Sequence, residues 1–220
     1  MADKLAVWKQ ACVHLGKARV TSLTEDTEAR YAFDDAWPGV VEEAFNQGDW
    51  NFAKKTALLV ASSSGTAAGG YSYVYDYPSD WLRTIAVSPM ANFITPFTDY
   101  IDEGGYLHSS TTPLYIRYIR ADLVDDGDVS TWPTMFWRFV AVKLAYETCE
   151  RLTQSTTLGE KLEKKMDRAL STARSVDARN EQGKRIYSGS WLAARHGHGV
   201  GGGTVNIQGT PEIVLGEGDV

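Results

Sequence analysis

Residues 71–83 read Tyr71-Ser72-Tyr73-Val74-Tyr75-Asp76-Tyr77-Pro78-Ser79-Asp80-Trp81-Leu82-Arg83. Aromatics on alternate residues specify a strand, because successive side chains of extended backbone point to opposite faces. Tyr71, Tyr73, Tyr75 and Tyr77 are therefore expected on one sheet face, burying ring area while their hydroxyls reach water or a neighbour. Pro78-Ser79-Asp80 stops the run with turn formers. Beyond it, Trp81 to Val87 is expected to continue the sheet, with Leu82 or Ile85 in its interior.

Working outward, the strand pattern persists on both sides. Phe52 to Ser62 reads as a first strand, and Ser62 to Gly70 is a loop of small residues. Tyr100 to Leu107 reads as a hairpin, since Gly104-Gly105 permits the positive φ angles of a tight turn. Leu114 to Ile119 is the last strand, with Leu114, Ile116 and Tyr118 facing one way and Tyr115, Arg117 and Ile119 the other.

Helices flank this block. Leu5, Trp8, Cys12 and Leu15 recur at helical spacing until Gly16. A second helix starts near Thr24 or Thr27 and buries Phe33, Trp37, Val40, Val41 and Ala44. Pro38 is expected to kink or break it, and Gly48 closes it. Pro133 fits the first turn of a third helix carrying Phe136 or Trp137, Val140, Leu144, Thr148 and Leu152. A fourth carries Leu158, Leu162, Met166, Leu170 and Ala173, and the short link at Thr153 to Thr157 makes these two an antiparallel pair. The expected class is α+β: a helical bundle interrupted by an antiparallel β-sheet insertion, followed by an extended C-terminal arm. Residues 1–182 form the expected main domain, with helices in 4–48 and 131–180 and the sheet part at about 51–120. Residues 183–220 form a glycine-rich arm, in which Val205 and Ile207 alternate with polar residues and Ile213-Val214-Leu215 is an apolar anchor suited to a neighbour's sheet.

Composition narrows the function. Of 220 residues, 22 are basic and 28 acidic, a net charge of -6 that argues against gripping nucleic acid through its phosphates. No apolar run approaches the roughly 20 residues of a membrane span, and no signal-peptide core follows Met1, so synthesis in the cytosol is expected. Cys12 and Cys149 lack paired spacing and read as reduced buried thiols. The seven tryptophans read as core and subunit interface, because stacking on nucleic acid bases would need more basic neighbours than Arg83, Arg117 and Arg120.

Motifs for chemistry fail on context. Gly197-His198-Gly199-Val200-Gly201-Gly202 fits a dinucleotide pattern, yet no strand precedes it and no helix follows. His196 and His198 lack a third metal ligand nearby. Asp122, Asp125, Asp126 and Asp128 do not have calcium-loop spacing. Asp76 and Asp80, on either side of Pro78, read as turn formers and not as a glycosidase pair. No nucleophile elbow, phosphate loop or zinc-protease motif occurs, so no catalytic, cofactor-binding or metal residue is assigned and no enzyme is expected.

Four segments, in order, resemble one known family. They are Val40-Val41-Glu42-Glu43-Ala44-Phe45 with Asp49-Trp50-Asn51-Phe52-Ala53, then Tyr75 to Arg83, then Leu114 to Ile119, then Trp132-Pro133 opening a helix. Over about residues 4–180 the chain resembles tail tubular protein A, the head-to-tail adaptor of short-tailed phages. The resemblance implies a virion structural protein of the tail or neck, assembled in the host cytoplasm. It implies a homo-oligomeric ring, usually of twelve copies, between the portal protein and the tail nozzle protein, through which DNA leaves without specific binding. A ring of twelve would carry roughly 72 net negative charges, which repel phosphates. The glycine-rich arm is less typical of the family. The interface residues expected on this reading are Tyr71, Tyr73, Tyr75, Tyr77, Val205, Ile207, Ile213, Val214 and Leu215. The alternative is a binding module whose tyrosine face takes a carbohydrate or a peptide.

Overall fold

The Asp3 carboxylate accepts from the Ala6 amide and opens the first helix, α1 (Lys4–Leu15). Gly16, at φ 66°, closes it in the left-handed conformation that glycine adopts without strain. Thr27 caps α2 (Glu28–Asn46) in the same way as Asp3, and α2 runs on through Pro38 without the expected break. The hydrogen bond lost at Pro38 is offset by burial of Trp37, Val40 and Val41 on either side of it. The computed structural model describes residues 3–62, 67–94, 97–124 and 129–180.

Between the helix pairs lie β1 (Lys54–Leu59), β2 (Tyr73–Asp76), β3 (Trp81–Ser88), β4 (Tyr100–Glu103), β5 (Tyr106–Ser109) and β6 (Leu114–Arg120). α3 (Thr134–Thr153) and α4 (Thr156–Ala178) complete the main unit, Met1–Glu181; a second unit, Gln182–Val220, lies outside the described residues. The fold is α+β. α3 packs against each of the other helices, which explains why every residue from Phe139 to Ala145 is buried where one apolar face was expected. Its one buried cation, Lys143, reaches Glu43 of α2 at 2.8 Å and Glu147 at 3.8 Å.

The strands do not form the single sheet expected. They form two antiparallel three-stranded sheets, ordered β1-β6-β3 and β2-β5-β4. Trp81 to Val87 therefore does not continue the tyrosine strand: the Trp81 amide donates to the Pro78 carbonyl at 2.9 Å, and this turn sends β3 into the other sheet. The first strand also begins later than expected. Residues 51–53 form a 3-10 turn, held by the Trp50 indole donating to the Ala44 carbonyl and by Asn51 bonded to Asp177. At the other end of this segment, Ala61 bridges to Tyr75, so one stretch of chain touches both sheets.

β6 is the shared wall. Leu114, Ile116 and Tyr118, all fully buried, face a small core between the sheets with Tyr75 and Leu107. Ile119 faces the larger helical core, which holds Trp8, Trp37, Trp50 and Trp132. Leu82 and Ile85 occupy the two register shifts of β3 against β6 and pack on the helical side. The hairpin β4–β5 turns on Gly104 and Gly105, at φ 63° and 83°, as the paired glycines require.

Candidate interaction surfaces

The tyrosine row is divided by the fold. Tyr73 and Tyr75 share one face of β2, with ring centres 6.3 Å apart, but only Tyr75 is buried. Tyr75 is 1% exposed and its hydroxyl donates to the Thr111 carbonyl at 2.8 Å. Tyr73 sits at the rim, 37% exposed. Tyr77 lies past the strand end and stacks on Trp81 at 4.2 Å, and Tyr71 lies ahead of it beside Gly69. The expectation of four tyrosines on one available face is corrected: alternation was right for the strand, but β2 holds only Tyr73 and Tyr75, and the β1-β6-β3 sheet covers Tyr75. Val205, Ile207, Ile213, Val214 and Leu215 lie outside the described residues, as do His196 and His198.

The turn that ends the row is a structural joint. One oxygen of Asp80 accepts from the Tyr118 hydroxyl at 2.7 Å, and the other pairs with Lys55 at 2.7 Å. Asp80 thus ties β1 and β6 to the entry of β3. Desolvation pushes its carboxyl up, but the hydrogen bonds from Lys55 and Tyr118 outweigh that and hold it below the usual aspartate range. Burial and the adjoining Asp80 carboxylate push the Tyr118 phenol well above the usual tyrosine range.

Other polar candidates are also structural. Asp122 forms a forked ion pair with Arg120, while Asp125, Asp126 and Asp128 lie outside the described residues. His108 is buried; its Nδ1 accepts from the Ala68 amide and its Nε2 faces the Glu103 carbonyl, which pins residues 67–70 across the second sheet. Cys12 and Cys149 are buried free thiols, and burial pushes Cys12 up. Among the described residues no three His, Cys, Asp or Glu side chains converge as metal ligands, and no helix is long and apolar enough to cross a membrane.

Two surface concavities were not anticipated from the sequence. A groove of about 400 Å³ between α1, α3 and α4 has an apolar floor of Met135, Trp137, Val142 and Ala169. Its rim carries Arg138, Lys165 and Arg168 and no carboxylate. His14 lies on the same rim, 3.0 Å from the Lys165 ammonium; burial and that charge hold its pKa down at about 4, so it is neutral at pH 7. A cleft of about 550 Å³ at the α3–α4 turn is lined by Glu147, Glu150, Glu160 and Glu163 and contains no lysine or arginine. Lys165 and Arg168, close to one turn apart on α4, are the only part of the basic rim that a single helix shows.

Comparison with known proteins adds no family: no family model matches the chain, and no curated protein does.

Proposed function

We propose that this chain is a virion structural protein, a head-to-tail adaptor that forms a ring between a portal and a tail nozzle and lines the channel for genome ejection. The observation that carries the reading is where the four resembling segments meet. Arg83, closing the segment Tyr75 to Arg83, donates to the Gly48 carbonyl at 3.1 Å and pairs with Asp49 at 2.7 Å. Phe45 and Trp132 pack edge to face at 5.7 Å, and Trp50 meets Phe136 at 4.9 Å. Ile119, next to the segment's last tyrosine, enters the same core. Segments far apart in sequence thus form the joint between bundle and sheet, so the resemblance rests on residues that set the frame. The net charge of -6 suits a channel past which DNA must slide. Burial of Tyr75 and the placement of Tyr71 and Tyr77 outside β2 weaken the support for the binding-module alternative.

The test is assembly with a portal from a short-tailed phage, read by mass photometry and low-resolution imaging. A ring of chains seated on the portal is expected. A free 24.3 kDa species at high concentration, with and without portal, overturns the reading. Removal of residues 197–220 is expected to leave the main unit folded and to weaken docking to the portal; unchanged co-assembly would remove that role from the arm.

A further inference from the structure

The two concavities carry opposite charge and lie on the same helical hairpin. At about 100° per residue, Glu163 and Lys165 are roughly 200° apart around α4, so the acidic cleft and the basic groove occupy opposite flanks. Glu147 is drawn toward Lys143. Among the described residues, Glu150, Glu160 and Glu163 have no cation within ion-pair distance, and neither Arg138 nor Arg168 has a carboxylate. Each flank thus presents charge of one sign, left without an ion-pair partner inside the subunit.

Resting on the ring reading, we infer that the groove between α1, α3 and α4 is the docking surface for a second copy of this chain, which inserts its α3–α4 turn. The apolar floor of Met135, Trp137, Val142 and Ala169 receives the turn, while Arg138, Lys165 and Arg168 meet Glu150, Glu160 and Glu163 of that copy. An apolar floor beneath a charged rim suits a protein partner. The contact is heterologous, because the groove of one copy takes the turn of the next and leaves its own turn free. Repetition of such a contact closes into a ring when the rotation permits. Charges at the rim steer the encounter and fix its direction, and they make groove-to-groove and turn-to-turn pairing repulsive.

The test is charge reversal and its rescue in the full-length chain. Arg138→Glu with Arg168→Glu makes both flanks acidic; Glu160→Lys with Glu163→Lys cancels the acidic charge of the cleft and places two cations opposite the basic rim. All four side chains are exposed, and circular dichroism checks that the variants fold. Each pair alone is expected to raise the concentration needed for assembly by roughly tenfold or more. All four changes in one chain restore assembly, and so does an equal mixture of the two double variants. Either pair assembling like wild type, or no rescue, overturns the inference while leaving a ring built on another face intact. A wild-type chain that never associates, alone or on a portal, removes both. As an independent reading on wild type, a water-soluble carbodiimide applied to mixed light and heavy chains is expected to join Lys165 to Glu160 or Glu163 of a different copy. Links confined to one chain, or to other sites, overturn it.

Discussion

Replacing Asp80 tests how the sheets are fastened. The Tyr118 ring is fully buried, and its hydroxyl donates to Asp80 at 2.7 Å. Asp80→Ala leaves that hydroxyl without its charged acceptor, a loss of about 1.5–3 kcal/mol. Lys55 is 52% exposed, so its pair with Asp80 adds at most about 1 kcal/mol. The expected cost is about 2–4 kcal/mol, or roughly 5–15 °C in Tm for a domain of this size. Asp80→Asn keeps an acceptor without the charge and is expected to cost about half as much. Urea titration followed by tryptophan fluorescence measures both. Tyr118→Phe should be costly in wild type and nearly neutral beside Asp80→Ala, a coupling of about 1–2 kcal/mol. The folded carboxyl titrates below its unfolded counterpart. Its contribution is therefore complete above the unfolded aspartate range, near pH 4, and is lost as pH falls through the folded value. A deficit under about 0.5 kcal/mol, a coupling near zero, or a wild-type advantage undiminished at low pH would refute the argument.

Other expectations follow from single sites. Trp132→Ala removes a ring stacked on Trp37 and packed on Phe45 and Phe136; a loss of about 3–5 kcal/mol by urea titration is expected. Gly104→Ala and Gly105→Ala each force a side chain into positive φ and should cost about 1 kcal/mol, measured the same way. His14 is held neutral down to about pH 4 while the unfolded histidine protonates near 6.5, so stability should fall as pH drops between those values. His14→Gln should remove that part of the slope, and an unaltered profile would count against it.

The alternation from Tyr71 to Tyr77 was enough to place a strand, and the caps at Thr27 and Gly16 were enough to bound helices, because both signals act over a few residues. The split into two sheets was not legible. Whether a chain leaving Pro78-Ser79-Asp80 pairs with β5 or β6 depends on long-range partners that local pattern cannot rank. The same limit hid the fate of the tyrosines, since an inward and an outward face alternate identically. Pro38 signalled a break that the packing of Trp37, Val40 and Val41 prevented. The charged concavities escaped for another reason: the basic groove is assembled from three helices far apart in sequence, and the acidic cleft, though confined to residues 146–163, exists only once α4 folds back on α3.

With Leu114, Ile116 and Tyr118 in one core and Ile119 in the other, a pull on either part of the unit reaches the other through β6. Its hydrogen bonds to β1 on one side and β3 on the other lie across the strand direction, so tension along β6 loads them together in shear and not one after another. Such a strand couples bundle and sheet mechanically, because neither can move along it without loading both ladders. In the ring proposed above, deformation would then concentrate at the seams between copies.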